Sequence, residues 1–512
     1  MINIPPALIF IFGAFLIPLF KGRIKKGYLL LLPVLAFIVL LTVSEGIHWK
    51  VGFLDYDLIL GKVDRLSMVF AYVFVIMAFI GNVYGRHVEE DGQHIAALLY
   101  AGSALGVVFA GDMLSLFIFW EIMTLSSLYL IWAKGTEASY TAGLRYLCVH
   151  LFGGLCLLTG IIIHAQQTGS IEFGFIGLNG LASSLILIGF LINAAVPPLH
   201  AWLADAYPEA TVTGAVFLSV FTTKTAVYVL IRAFPGTEIL IWLGAVMTIY
   251  GVVYAVLEND IRRLLAYHII SQVGFMVAGV GIGTEMAING ASAHAFAHIL
   301  YKGLLFMGAG AVIHMTGKSK LTELGGLYKT MPITLILYMI GAFSISAFPL
   351  LSGFVSKSMV ISAAGEEHMA VIWLMLTFAS AGTFLSIGLK LLYFTFFAKD
   401  SGIKAKEPPL NMLMGMGIAA FFCIFIGVFP KILYNILPYT VDYAPYTTGH
   451  VLGALQLLLF TGLAFLLLLK RAESKATISL DTDWFYRKGS LVFLWLANRV
   501  IGTDRKENIH ES

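Results

Sequence analysis

Charge is what this chain of 512 residues has least of: Asp, Glu, Lys and Arg make up 12%, about half of the ~25% of an ordinary soluble protein. So little charge excludes a water-soluble globule of this length. Cysteine is nearly absent as well. Cys148, Cys156 and Cys423 lie within apolar runs and none has CxxC spacing, so the sequence offers no iron–sulfur, zinc or disulfide framework. An excess of one charge sign is also missing, because 32 Lys+Arg against 29 Asp+Glu leave +3; no bulk field points to nucleic acid. Without a GxGxxG or P-loop pattern there is no nucleotide site to expect. The expectation is no cofactor and no metal.

What is present is apolar: 59% hydrophobic residues and a mean hydropathy of +0.89. In lipid every backbone N–H and C=O must be bonded within its own segment, so apolar runs of about twenty residues read as spanning helices. About fifteen occur, at 4–20, 28–43, 65–84, 94–111, 113–132, 144–165, 181–203, 211–233, 237–257, 264–282, 289–314, 332–362, 370–398, 410–430 and 452–470. The fold class expected is an all-α polytopic membrane protein with about 14–15 transmembrane helices. The basic cluster Lys21, Arg23, Lys25 and Lys26 follows the first run instead of preceding it, which argues against a cleaved signal and for an outside N-terminus. Lys and Arg recur in alternate loops (Arg86, Lys134, Arg262, Arg263, Lys318, Lys320, Lys329, Lys399, Lys404, Lys406), with Lys50, Lys62, Arg65 and Lys431 as exceptions. An odd number of spans places the tail from Lys470 in the cytoplasm of a cell-membrane protein. Within that tail, 490–501 reads as a short helix on the membrane face or on a partner.

Two runs are interrupted, the seventh at Pro197-Pro198 and the twelfth at Pro349 with Ser352-Gly353 beyond. Proline removes a backbone bond that lipid cannot replace, and broken helices in transporters flank ion sites at mid-depth. One break in each half predicts two inverted five-helix repeats. The organisation expected is N-terminal helices over 1–93, a first repeat over 94–233 broken near 193–200, and a second over 237–398 broken near 349–357. C-terminal helices over 410–470 and a tail over 471–512 follow. Lys224 and Lys390 each lie on the span after a break, with Tyr228 and Tyr393 about a turn away.

Glu121, Lys224, Lys302, Lys357 and Lys390 all fall in apolar surroundings. At about 2.5–3.5 kcal/mol apiece, five such groups facing hydrocarbon cost on the order of 12–17 kcal/mol. A single interior glutamate cannot pair four lysines, which favours hydrated, proton-exchanging groups over static ion pairs that glue helices. His294, His298 and Lys302 are spaced i, i+4, i+8 and so share one helical stripe, a candidate relay because imidazoles both donate and accept. Two other readings of the histidines stay open: a metal pair, though HExxH and Cys partners are lacking, and axial haem ligands drawn from His150, His164, His294, His298 and His314. A quinone-binding oxidoreductase component or a stand-alone solute carrier with a midplane pocket are the rival classes.

The stretch Asn193-Ala-Ala-Val-Pro-Pro-Leu-His200-Ala-Trp-Leu-Ala-Asp205-Ala-Tyr-Pro-Glu209 resembles the signature of the antiporter-like subunits of complex I, multisubunit cation/proton (Mrp) antiporters and membrane-bound hydrogenases. Further blocks follow in order: Lys224-Thr-Ala-Val-Tyr-Val-Leu-Ile-Arg232, Asp260 to Gly274 around Tyr267-His268, His294-Ala-Phe-Ala-His298-Ile-Leu-Tyr-Lys302 and Ser352-Gly-Phe-Val-Ser-Lys357. Gly388-Leu-Lys390, Phe429-Pro430 to Tyr434 and Leu480-Asp-Thr-Asp-Trp-Phe-Tyr486 look most like the D-type component of the Mrp antiporters and its counterpart in the hydrogenases. The resemblance implies an ion-translocating subunit, for H⁺ and for Na⁺ where coupled, that works with other membrane subunits in the lipid bilayer and is not an enzyme by itself. It implies that Glu121 modulates the first half-channel. Lys224, His294, His298 and Lys302 would form a central axis, and Lys357, with Lys390 beyond it, the switch of the second half. His200 and His268 lie within the matched blocks as further pathway candidates. In one place the chain departs from the pattern. The family has a lysine where this chain has Asn193, thirty-one residues before Lys224, and an amide cannot carry the proton. Glu121 thereby loses its expected partner, with Arg145 and Lys224 as the replacements on offer.

Overall fold

The computed structural model describes residues 4–53, 56–469, 481–482, 484, 488–489, 492, 495 and 499. The expected surface helix at 490–501 lies almost wholly outside them. The first helices are α1 (Pro6–Phe15), α2 (Gly22–Thr42), α3 (Arg65–Tyr84), α4 (Asp91–Phe109), α5 (Met113–Trp132) and α6 (Glu137–Thr168). The interrupted seventh run gives α7 (Leu181–Asn193) and α8 (Ala201–Ala206), and the eighth gives α9 (Val212–Leu218) and α10 (Thr222–Ala233). Then come α11 (Glu238–Leu257), α12 (Ile261–Ile282), α13 (Glu285–Thr316), α14 (Pro332–Ile345), α15 (Ser352–Glu366) and α16 (Ala370–Thr383). α16 runs into π-helix over Phe384–Leu391 and Tyr393–Phe397; α17 (Leu410–Val428), α18 (Pro430–Tyr434) and α19 (Thr448–Leu467) follow. Among the described residues twelve helical stretches, counting α9 with α10 and α16 with the π segment as one each, are long and apolar enough to cross a membrane, and Pro6–Phe15, Leu181–Asn193 and Pro332–Ile345 are shorter apolar helices. Together they account for all fifteen runs. The chain is an all-α polytopic membrane protein with one addition that the sequence reading lacked, an antiparallel hairpin of β1 (Gly46–Phe53) and β2 (Tyr56–Val63).

Polar residues at the helix starts explain where the chain turns. Asp64, Asp112, Thr136, Asp260 and Thr284 each accept a first-turn backbone N–H as N-caps, satisfying donors that lipid would leave bare. Glycine sets how closely helices approach. A Cβ added at Gly244 of α11 would lie 2.3 Å from the Ala278 nitrogen of α12, so the two backbones are in near contact in the manner of small-residue membrane interfaces. α13 is the centre of the bundle, buried without interruption from Ala287 to Val312.

The helix breaks follow from where their freed backbone groups go. At the first, Ala195 has φ +56° and the Trp202 indole donates to the Ile192 carbonyl. At the second, Ala347 has φ +57° and Leu350 φ +72°, while the Ser344 and Ser352 hydroxyls meet at 2.9 Å. A third break, between α9 and α10, has neither Pro nor Gly. There the Tyr100 hydroxyl of α4 accepts the Thr222 N–H at 3.1 Å and bonds the Thr222 hydroxyl at 2.6 Å, and the Lys224 ammonium donates to the Ser219 carbonyl at 2.5 Å.

Candidate functional site

Lys224, His294, His298, Lys302 and Lys357 are all fully buried. Each lysine next to a break caps a carbonyl that the break releases: Lys224 that of Ser219 and Lys357 that of Ile345, at 2.7 Å. A buried ammonium needs acceptors, and a broken helix end supplies them without a counter-charge. Lys357 also lies 5.0 Å from the centre of the Phe275 ring, within cation–π range. Lys390 stands on the π segment, where it donates to the Val256 and Glu258 carbonyls at the end of α11, at 2.5 and 2.8 Å.

On α13 the expected stripe forms. His294 Nδ1 lies 3.1 Å from the hydroxyl of Ser356, the residue before Lys357, and the His294 and His298 rings are 6.2 Å apart. Both ring nitrogens of His298 and the ammonium of Lys302 are buried without a hydrogen-bond partner among the described residues. Groups this polar are rarely left bare in a dry interior, so the stripe has the composition of a hydrated path. His268 on α12 continues it toward the π segment by bonding Ser386 at 2.7 Å. The buried groups therefore span α10, α12, α13, α15 and the π segment instead of ringing one pocket. Beside Lys357 a cavity of about 350 Å³ opens between α15, α16 and α19, lined also by Ser358, Ser362, Thr377, Ser380 and His450. That is far above the ~10–15 Å³ one water needs.

The surroundings of Glu121 and of the first break are organised differently. Glu121 packs against the glycine face of α6, where a Cβ on Gly154 would lie 2.3 Å from its carboxylate oxygen. That oxygen is buried without a partner, and no ion pair joins Glu121 to a cation among the described residues. Neither replacement partner read from the sequence fills the role. Arg145 grips Asp205 with two hydrogen bonds of 2.6 and 2.9 Å, and Lys224 turns to the backbone of its own break. Asn193 is fully buried, with both amide atoms unpartnered among the described residues.

A residue from the far end of the chain completes the region. Asp481 of the tail is buried, its Oδ1 3.1 Å from His200 Nε2 and 2.5 Å from the Tyr250 hydroxyl, its Oδ2 2.5 Å from the Tyr267 hydroxyl. The neighbouring Thr482 hydroxyl donates to the Pro198 carbonyl at the first break. Only the aspartate's place in Leu480-Asp-Thr-Asp-Trp set it apart in the sequence, and nothing there said what it would reach.

Residues 110–385 match the family model described as NADH:quinone oxidoreductase/Mrp antiporter, TM. The chain belongs to that family. It is 30% identical over 428 residues to the D component of the Na⁺/H⁺ antiporter of Alkalihalophilus pseudofirmus, covering 77% of this chain and 85% of the relative. A chain of the Mrp complex from Dietzia sp. superposes with a TM-score of 0.84 at 25% identity, covering 98% of this chain and 60% of that one. A chain of the archaeal membrane-bound sulfane sulfur reductase superposes with a TM-score of 0.83 at 23% identity, covering 99% and 96%. Some family members are longer. This chain spans 61% of the A component of the same A. pseudofirmus antiporter and 62% of hydrogenase-4 component B of Escherichia coli. The matched segment runs from just before α5 into the π segment, so it contains every pathway candidate named from the sequence except Lys390.

Proposed function

We propose that this chain is the ion-translocating subunit of a multisubunit membrane complex, moving H⁺ and exchanging it for Na⁺ where the parent complex is an antiporter. It works in the cell membrane with its N-terminus outside and its tail in the cytoplasm, beside other membrane subunits that supply the driving force. It is not an enzyme by itself. Lys224, His298, His294 and Lys302 form the central axis, with His268 and Lys390 on its far side, and Lys357 is the switch through which the second repeat exchanges its proton. The observation that carries this reading is the cavity at Lys357. It places Lys357 in the wall of a space large enough for several waters, where Ser358, Ser362, Thr377 and Ser380 stand among more extensive apolar lining and which reaches His450 in the first turn of α19. Asn193, in contrast, has no polar partner among the described residues, and Glu121 adjusts the first half without a lysine opposite.

The test is proton movement by the assembled complex in proteoliposomes. Lys357→Ala lowers it by at least about tenfold, the scale of a lost proton-transfer group, whereas Asn193→Ala leaves more than half. Equal, negligible losses in the two variants would remove the assignment of Lys357. A visible absorption spectrum of the purified chain addresses the haem reading directly.

A further inference from the structure

On the proposed reading, the first repeat has lost the lysine of its broken helix, yet that same helix carries a second titratable side chain. His200 begins α8 on the far side of the break from Asn193 and is fully buried. Its Nε2 faces the carboxylate of Asp481 at 3.1 Å, and its Nδ1 is buried without a partner among the described residues. An ionised carboxylate only accepts. The Asp481 carboxylate already gathers the hydroxyls of Tyr250 and Tyr267 and the Thr482 N–H, a donor set that favours the ionised form. His200 must then carry its proton on Nε2, which leaves Nδ1 as a bare lone pair aimed away from the carboxylate. The orienting acid fixes the tautomer, and the imidazolium formed on protonation gains a counter-charge in contact.

We propose that the Asp481–His200 pair is the proton acceptor of the first repeat, replacing the lysine whose position Asn193 holds. His200 Nδ1 takes a proton, the pair becomes imidazolium and carboxylate, and passing the same proton on restores the starting state. Asp481 is the positioning residue and His200 the group that carries charge. This gives the C-terminal tail a part in conduction, since it inserts a carboxylate between the first repeat (α8) and the second (α11, α12). Titratable and charged groups nearest the pair on the packed elements include Tyr250 and Tyr254 of α11, Tyr267 and Arg263 of α12 and Asp205 of α8. On α6 they include Tyr146 and His150, both against Trp202, and Arg145, which pairs with Asp205.

The experiment uses the assembled complex in membrane vesicles and follows proton uptake with a pH-sensitive dye across external pH, with co-purification of the partner subunits as the check of assembly. His200→Gln is expected to lower uptake by at least about tenfold, and adding Asn193→Lys in that background to restore most of it. Asp481→Asn, which keeps the shape and removes the charge, is expected to assemble and to move the acid limb of the pH profile down by about one unit or more. Wild-type uptake in His200→Gln overturns the proposal. So does an Asp481→Asn variant with an unchanged pH profile, which makes the tail a clasp only. Should His200→Gln fail to assemble, the Asp481→Asn profile decides by itself. A native complex that moves no protons defeats the proposed function instead, a result distinct from a native complex that pumps and a His200→Gln variant that pumps equally.

Discussion

Lys302 separates a conducting role from a structural one most cleanly at the level of single residues. Its ammonium has no hydrogen-bond partner among the described residues, and the Phe306 ring lies 5.9 Å away. If it held helices together, its removal would break a buried interaction and cost several kcal/mol. With no protein hydrogen-bond partner among the described residues, replacement by an unbranched apolar side chain of similar length breaks no bond between helices. Lys302→Met is therefore expected to leave the thermal midpoint of the purified complex unchanged or raised, while proton transport drops by at least about tenfold. A lowered midpoint with transport intact would show that the lysine is glue. His298, equally bare at both nitrogens, belongs to the same class. Lys224 and Lys357 differ because each leaves a backbone carbonyl uncapped when removed.

Elements are pinned at their ends by charge, and one pin has a pH signature. Asp64 caps α3 through a capping box with Ser67 and at the same time accepts from both terminal Arg232 nitrogens of α10, at 2.8 and 2.9 Å. Burial alone would raise the Asp64 carboxyl, but the Arg232 guanidinium and the Ser67 bonds bring it below its ordinary value. A carboxylate held more acidic in the folded state adds stability above its unfolded value of about 3.9 and loses it as pH falls through the folded value. Asp64→Asn keeps a good cap and removes the pair. Its thermal midpoint should lie below wild type at pH 7, by at most about 1 kcal/mol because the carboxylate is 38% exposed and screened. The two midpoints should converge below about pH 4, where the wild-type carboxyl also loses its charge. At this scale much was legible in advance. Apolar length marked the fifteen runs, and Pro197-Pro198 and Pro349 marked two breaks. The break between α9 and α10 was not legible, since Ser219-Val-Phe carries no backbone signal and the interruption rests on Tyr100, more than a hundred residues away. The π segment and the hairpin were missed for a like reason: both depend on packing more than on local composition.

Across the whole molecule, Lys224, Lys302 and Lys357 are fully buried with no carboxylate in ion-pair contact among the described residues, and of the interior lysines read from the sequence Lys390 alone has a carboxylate, Glu258, acting on it. Lys224 acts on Lys302 through space in that interior, so the occupancy of one site depends on the other. Sequence alone showed the imbalance but not its geometry, because the tail that supplies Asp481 lies more than two hundred residues from the tyrosines that hold it. The dependence has a measurable form. If Lys224 and Lys302 belong to one conductor, breaking it at either point removes the whole current, and Lys224→Met with Lys302→Met together lose no more than the worse single variant. If the repeats conduct separately, the two losses multiply. Groups that act as a unit show the first pattern. Proton transport by the two single variants and the double, each normalised to assembled complex, is therefore expected to agree within about twofold to threefold. A double variant about tenfold or more below both singles would replace the shared axis with two independent paths.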